Sequence, residues 1–405
     1  MKNSFFNKAY NLIQKKKGLK QLKILLYYFD GLVLFFLKKS SYSDRKKKKV
    51  LIIYNLALGD GVIFNCSASD YRKVYPSKEY EITFMCQNGV ENLYKNNNLF
   101  DKIINIDFNK AAVNPIYRIR TLKKIREVYY DIVVDPIGIF DCTTNVLMVR
   151  ASLGKEKIGI IDNNKAMFLN KKYINKIYTK TYLIKKKKIL SLIEYYQVVI
   201  NMLSDGRVNH NVGFKEMNLD KPKIKLPKSY FVIFPSASIE LKRWPMERYR
   251  EVARRVYSLV GMPLVVCGTT VDMDSVNLLI DDLGIEVINL LCKTNLNDYF
   301  YIIKNAAFVI TNDTSAYHVA VVNQTPVVIV SGGYDFDRYI CYDFKRKNEF
   351  KRPYVVAKRM KCFNCNEKCP FFNHGDKNWK CLDQITVDMV LDSVYKLLVD
   401  EGICE

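Results

Sequence analysis

The sequence predicts an α/β protein built from two doubly wound, Rossmann-like domains, and three observations carry that prediction. The chain has 405 residues, 49% hydrophobic and 13% aromatic, enough to bury two ordinary cores and too many for one. From Lys49 onward, short β-rich runs alternate with helical stretches in two successive series, the signature of βαβ units and a parallel sheet. A polar stretch at 205–229, with two prolines, two glycines and no periodicity, separates the two series as a linker.

The first segment, 1–48, is basic and apolar. Its run LKILLYYFDGLVLFFL (22–37) is interrupted by Lys23 and Asp30 and flanked by basic residues, so it is too short and too polar to span a bilayer. Two readings stay open: a helix lying in the headgroup region of an anionic leaflet, or a helix docked on the protein's own surface.

The first doubly wound domain is expected over 49–204. VLIIY (50–54), YEITFM (80–85), KIINI (102–106) and DIVVD (131–135) read as strands, with helices near 62–75, 88–95, 114–129 and 141–152. The second is expected over 230–383. Its strands are YFVIF (230–234), PLVVC (263–267), IEVINL (285–290), AFVIT (307–311), PVVIV (326–330) and YVVA (354–357). Helices at 245–260, 271–282, 296–305 and 314–322 fall between them, and a cysteine-rich loop occupies 362–381. In 384–405, Ile385, Met389, Val390, Val394, Leu397 and Leu398 keep helical spacing and predict a terminal helix.

Charge narrows the partners. The excess of 64 Lys and Arg over 41 Asp and Glu leaves +23, much of it in runs such as Lys46–Lys49 and Lys185–Lys188. Such a field favours a phosphate-bearing substrate or an anionic membrane surface, or marks solvated faces. Nucleic acid is not expected, because the aromatics lie in apolar strand-like runs and are not interleaved with bases on one surface. Seven of the eleven cysteines are scattered singly in a long chain without a cleavable signal, which fits a reducing cytoplasm.

Three loops carry chemistry. Asn55-Leu56-Ala57-Leu58-Gly59-Asp60-Gly61 follows the first strand, at the strand end where doubly wound sheets bind ligands. Its glycines let backbone approach a substrate but form no Gly-x-Gly-x-x-Gly fingerprint, so no nicotinamide cofactor is indicated. Asp60 reads either as a general base or as a helix cap, and no other motif of the first domain offers a proton acceptor so placed.

The second loop runs from Phe234 to Pro245 and offers the hydroxyls of Ser236 and Ser238 and the charges of Lys242 and Arg243, with Pro245 where a helix can start. A surface loop with two solvated bases is the other reading. The third loop, Thr311-Asn312-Asp313-Thr314-Ser315-Ala316-Tyr317-His318, runs from a strand into a helix whose unsatisfied N–H groups and dipole suit a diphosphate. His318 falls one turn into that helix.

Cys362, Cys365, Cys369 and Cys381, with His374 between, have the residue types for a structural zinc, although the second pair lacks the close spacing of zinc ribbons. Paired or free buried thiols are the alternative. Asp272-Met273-Asp274 and Asp335-Phe336-Asp337 have the form of a metal-binding Asp-x-Asp pair, but short acidic pairs are common in loops.

Together the loops resemble the family 9 glycosyltransferases, the bacterial heptosyltransferase-like enzymes of lipopolysaccharide assembly. The resemblance runs from about Lys49 to the C-terminus through Leu-Gly-Asp, Pro-Ser-Ala-Ser, Lys-Arg-Trp-Pro, Gly268 after PLVVC, Asn-Asp-Thr-Ser-Ala-Tyr-His and the closing Cys381-Leu382. It implies a GT-B fold with the two domains facing a central cleft. The implied reaction is an inverting, metal-independent transfer of a heptose or hexose-like sugar from a nucleotide-diphosphate donor to a lipopolysaccharide, lipooligosaccharide or related glycan acceptor. Asp60 matches the family's proposed base and Lys242 its leaving-group lysine. Ser236, Ser238, Gly268, Asp313, Thr314, Ser315 and His318 fall in donor-binding motifs, with Ser315 where the family usually has Gly. No cofactor is then needed for catalysis, and a peripheral site on the inner face of the cytoplasmic membrane follows from the acceptor. A non-catalytic sugar-nucleotide-binding or scaffold protein of this fold, or a sugar-nucleotide epimerase, are the alternatives.

Overall fold

The computed structural model describes residues 20–41, 46–138, 144–162, 171–184, 190–208, 217–340, 342, 351–373 and 375–404. Lys185–Lys188 and His374 lie outside the described residues. The chain divides into two compact units. One comprises Met1–Gly61, Ser67–Ile189 and Tyr195–Asn211, and the other Val62–Cys66, Leu190–Glu194 and Val212–Glu405.

In the N-terminal unit a helix α1 (Lys20–Phe36) precedes the sheet strands β1 (Lys48–Tyr54), β2 (Tyr80–Gln87), β3 (Lys102–Ile106), β4 (Tyr129–Asp135), β5 (Leu153–Asp162) and β6 (Lys180–Ile184). All pairings are parallel, in the order β3-β2-β1-β4-β5-β6. Four of these strands are legible as apolar runs, whereas β5 and β6 are not. In β5, Lys155, Glu156 and Lys157 occupy a half that is not buried, and β6 is an edge strand buried only at Ile184. A strand covered on one face or at an edge keeps polar residues, so no continuous apolar run marks it.

The helices of this unit are α2 (Leu58–Ala68), α3 (Asp70–Val74), α4 (Phe108–Val113), α5 (Pro115–Arg126), α6 (Thr144–Ala151), α7 (Lys171–Ile177) and α8 (Leu192–Leu203); α2 and α8 also contribute residues to the other unit. Where a helix was expected near 88–95, only a single 3₁₀ turn, Val90–Leu93, forms. The start of α5 is written locally: the Asn114 side chain accepts the Tyr117 N–H at 2.9 Å, and Pro115 occupies the first turn, where its missing N–H costs nothing.

The C-terminal unit repeats the plan. Strands β7 (Phe231–Phe234), β8 (Leu264–Gly268), β9 (Val287–Leu291), β10 (Phe308–Asn312), β11 (Val327–Val330) and β12 (Tyr354–Val356) pair in parallel in the order β12-β11-β10-β7-β8-β9. Helices α9 (Met246–Val260), α10 (Met273–Ile280), α11 (Leu296–Lys304), α12 (Ser315–Val322), α13 (Phe336–Tyr339), α14 (Lys380–Asp383) and α15 (Val387–Asp400) complete it. Pro245 is the cap residue before α9 and not its first helical residue, and Gly261 ends that helix in the left-handed region at φ 61°. The core packs Phe231, Ile233, Trp244, Tyr249, Val328 and Leu397, and the Trp244 indole N–H donates to the Ile385 carbonyl at 3.0 Å.

Both sheets have the 3-2-1-4-5-6 order, so each has a topological switch point where the chain reverses its winding: between β1 and β4, and between β7 and β10. The loops at the carboxyl ends of those strand pairs lie where doubly wound sheets bind ligands.

Helix α1 is fastened to its unit on one side. Leu34 joins the core, with Leu26, Tyr27, Val33 and Leu37 packed against it. Asp30, fully buried, accepts from the Arg118 guanidinium of α5 with both carboxylate oxygens, and Arg118 also donates to the Ala111 carbonyl at 2.8 Å. Arg150 stacks over the Tyr27 ring at 3.7 Å and donates to the Tyr27 carbonyl. The docked reading of the 22–37 run therefore holds for this face.

Breaking a buried pair by removing one partner leaves an uncompensated charge. Arg118→Met should weaken the docking of α1 by about 3–5 kcal/mol. In limited proteolysis, cleavage within 20–36 should then rise by roughly two orders of magnitude or more. Unchanged cleavage would show that the pair does not hold the helix.

Candidate functional site

In the C-terminal unit the site starts from two adjacent strands. β7 and β10 pair with Phe234 opposite Thr311, so the loops that leave them, 235–245 and 313–314, emerge side by side at the switch point. Asn312 ties them together. Its side-chain oxygen accepts from the Trp244 backbone N–H at 3.1 Å and the Tyr249 hydroxyl at 3.0 Å, and its amide nitrogen donates to the Pro235 carbonyl. The residue is fully buried, and every one of these partners is buried or nearly so.

With the loop fixed at both ends, a 3₁₀ turn at Glu240–Lys242 aims Lys242 inward. Its ammonium lies 3.3 Å from Asp313, 3.4 Å from Glu367 and 3.9 Å from Asp335, and 4.5 Å from the centre of the Tyr334 ring. Burial alone would lower the Lys242 pKa, but the carboxylates of Asp313, Glu367 and Asp335 outweigh it and the pKa is raised. The lysine is therefore a permanent cation. Burial pushes the Asp335 carboxyl up, against the pull of Lys242. An incoming anion competes with these carboxylates for the ammonium; Glu367, with its side chain 41% exposed, is the easiest of the three to displace.

Around this cation the other expected residues take different stations. Thr314 caps α12 in extended backbone without a side-chain capping bond, so the first N–H groups of the helix are left for other acceptors. The Ser315 hydroxyl pairs with the Tyr299 hydroxyl at 3.0 Å, which gives this side chain a structural partner on α11. Ser236 is buried, and its hydroxyl has no partner among the described residues, whereas Ser238 is exposed. His318 is buried in α12, with its Nδ1 2.5 Å from the Tyr342 hydroxyl. Burial, opposed by Asp313 and assisted by Lys242, lowers its pKa to about 4, so it is neutral near pH 7. Gly268 ends β8, where a Cβ would come within 2.9 Å of the Asp272 side chain.

Other charged residues named from the sequence are held by local partners. Arg243 spends its guanidinium on the Ala237 carbonyl, 3.0 Å away, so it braces the loop. Asp272 closes its own turn by accepting from the Thr269 N–H and hydroxyl at 2.8 and 3.0 Å, and Asp335 faces Lys242, so neither Asp-x-Asp pair stands as a paired metal clamp. Asn312 and Asp335 lie in motifs named from the sequence but take roles that the motifs did not indicate, and Glu367 is not marked by any motif. Asn312 carried a signal, a polar residue at the end of an apolar strand, but Glu367 comes from a loop 125 positions beyond Lys242 and had none.

In the N-terminal unit, Asp60 lies half-buried in the first turn of α2, whose cap residue is Ala57. A carboxylate there complements the helix dipole without being the cap. The lack of a side chain at Gly61 serves packing, since a Cβ would meet Val90 at 2.9 Å. Tyr54, at the end of β1, hydrogen-bonds the Tyr196 hydroxyl at 2.7 Å; burial, then Tyr196 and Asp60, raise its pKa well above the usual value. A second acid stands at the same switch point. Asp135 ends β4, fully buried and hydrogen-bonded by the Tyr178 hydroxyl at 2.6 Å, and burial raises its pKa to about 7.

The four cysteines line one small cavity with Gly333, Tyr334, Met360, Phe363 and Trp379. Cys381 Sγ accepts from the Gly333 N–H at 3.3 Å, and burial raises the pKa of Cys362, Cys365 and Cys381, which keeps them as thiols. Among the described residues, no group of three or more His, Cys, Asp or Glu side chains is arranged to hold a metal ion. Nor is any described helix long and apolar enough to cross a membrane.

The model of glycosyltransferase family 9 (heptosyltransferase) matches residues 118–348, which include Lys242 and the 311–318 loop but neither Asp60 nor the four clustered cysteines at 362–381. No curated protein matches the sequence. Among solved structures, the glycosyl transferase family 9 protein from Veillonella parvula is similar with a TM-score of 0.69 at 16% identity, over 89% of this chain and 100% of that one. ADP-heptose lps heptosyltransferase II from E. coli gives 0.63 at 16%, over 87% and 99%. The E. coli heptosyltransferase WaaC with ADP gives 0.62 at 17%, over 86% and 99%. At such identities the likeness is one of fold, the GT-B arrangement of two Rossmann-like domains. With a family match over more than half of its length and that fold behind it, the chain belongs to glycosyltransferase family 9, the heptosyltransferases, and is a glycosyltransferase.

Proposed function

We propose that the protein transfers a heptose or similar sugar from a nucleotide-diphosphate donor to a lipopolysaccharide, lipooligosaccharide or related glycan acceptor. The reaction inverts the anomeric centre and needs no metal. The observation that carries this reading is the buried Lys242 ammonium beside the loop that opens α12, a fixed positive charge next to unspent helix N–H groups. The solved E. coli relatives named for ADP-heptose and bound to ADP support an adenosine diphosphate donor.

In this reaction the acceptor hydroxyl oxygen forms a bond to the anomeric carbon while the bond from that carbon to the diphosphate oxygen breaks. The electron pair leaves with the diphosphate, and the hydroxyl proton passes to the Asp60 carboxylate. A single displacement of this kind inverts the centre. Lys242 and the first N–H groups of α12 stabilise the charge that grows on the leaving group. Ser236 and Ser238, on the β7 loop, and Thr314 and Ser315, at the helix start, line the donor side. Gly268 lets backbone pass closely there, and neutral His318 offers an uncharged ring. The acceptor class places the enzyme at the anionic inner face of the cytoplasmic membrane, which a net charge of +23 favours.

Asp60→Asn tests the base. It keeps the shape and removes the proton acceptor, so release of ADP from ADP-heptose in the presence of acceptor and EDTA should fall about 10²–10⁴-fold with donor affinity and melting temperature little changed. Near-normal turnover would remove Asp60 from this role and leave Asp135 as the acid at the same strand ends.

We also propose that Cys362, Cys365, Cys369 and Cys381 close around a structural zinc. What supports it is their shared cavity and the amide that already donates to Cys381, an outer contact suited to a thiolate ligand. Zinc would release the thiol protons and staple the loop that carries Glu367. Purified protein should hold about one zinc per chain, the count of a closed four-ligand site, and Cys365→Ser should lose both the metal and thermal stability. Metal-free protein with an unchanged melting temperature would rule the zinc out.

A further inference from the structure

Helix α1 is apolar on two sides, and its unit uses only one of them. Leu25, Tyr28, Leu32, Phe35 and Phe36 are each at least 59% exposed. At about 100° per residue, these five fall within an arc of about 100°. The opposite side carries Asp30 and Leu34, both buried, so the exposed stripe faces away from the docked face. A helix apolar all round is ordinarily buried on all sides, and here the described residues cover only the inner one.

The charges that follow the stripe are positive. Lys38 and Lys39 follow α1 directly and are exposed. The Ser40 N–H donates to the Arg126 carbonyl at 3.2 Å, which brings this end of α1 to the basic last turn of α5. On α5, Arg120, Lys123 and Lys124 are exposed. The acid within α1, Asp30, is consumed by Arg118, and one exposed acid, Glu127, follows α5. An apolar stripe beside clustered bases is the pattern of a helix lying in the interface of an anionic bilayer.

We propose that the outer face of α1 seats the protein on an anionic lipid bilayer. Phe35, Phe36 and Leu32 enter the acyl boundary, Lys38 and Lys39 meet the lipid phosphates, and the Asp30–Arg118 pair fixes the angle at which the N-terminal unit is held. The inference rests on the membrane location proposed above and adds the surface that makes it. The fastened helix brings its apolar residues to the membrane already ordered, so binding does not have to fold the segment.

The test is sedimentation of the full chain with vesicles of phosphatidylcholine and phosphatidylglycerol, and with phosphatidylcholine alone. Wild type should pellet with the anionic vesicles. Phe35→Glu combined with Phe36→Glu should lower partitioning roughly 10²-fold, and Lys38→Gln with Lys39→Gln about 5-fold per lysine. Leu278→Glu, a control at an exposed leucine of the other unit, should bind as wild type. All these positions are exposed, and melting temperatures should stay close to wild type.

If wild type pellets and the Phe35/Phe36 variant pellets equally, the α1 face is wrong and the membrane location stands on other residues. If wild type binds neither vesicle, both fall. A wild-type dimer that the Phe35/Phe36 variant converts to monomer, without vesicle binding by either, would make this face a contact between copies of the chain and overturn the proposal.

Discussion

The candidate site of the C-terminal unit depends on the side chain of Asn312. It is the last residue of β10, and it reaches across to hold both ends of the loop that leaves the neighbouring strand β7, at Pro235 and at Trp244. An amide has one acceptor group and two donor hydrogens, and here it serves two donors and one carbonyl at once. A leucine, with the same branching but no polar atoms, would leave buried backbone groups without partners, at about 1–3 kcal/mol each. The same bonds set the position of Lys242, two residues before Trp244, so the packing of the Rossmann core and the placement of the Lys242 charge are a single constraint.

That charge is kept in place by its neighbours. Three carboxylates and an aromatic face surround Lys242, so the ammonium is held in one position without depending on the ligand. The cost, under the proposed function, is electrostatic: the diphosphate of a donor would enter a place already crowded with negative charge. In that proposal, exchange of the half-exposed Glu367 for phosphate oxygens would resolve the conflict and link donor binding to the cysteine loop, whose Asn364 and Asn366 N–H groups bond the Gly333 and Tyr334 carbonyls. Neutral His318 adds no further charge to this balance.

Much of this was legible in the sequence, for a physical reason. Buried parallel strands such as VLIIY and AFVIT must be apolar throughout, and the loops that follow them must carry the chemistry, so strand, loop and helix announce one another. The 311–318 loop and Lys242 were found in this way. What escaped was set by tertiary contact. Strands β5 and β6 are only partly covered and carry charges, Arg243 turns back on its own loop, and Glu367 arrives from a distant segment. Asp135 looked like the end of a strand, and only its burial and the Tyr178 hydroxyl give it an unusual pKa. The 22–37 run held two readings because it has two apolar faces, and the buried Asp30 pair explains why a charge interrupts it.

The central claim is that a buried lysine and a helix start take the place of a metal in holding the diphosphate. Calorimetric titration of a nucleoside diphosphate into the protein in EDTA tests it most directly, with wild type and Lys242→Ala side by side. Binding should occur without divalent cation and weaken roughly 10–100-fold in the variant, the value of a lost charge-assisted contact. Binding that appears only when magnesium is added, or that is equally tight in Lys242→Ala, would contradict the account.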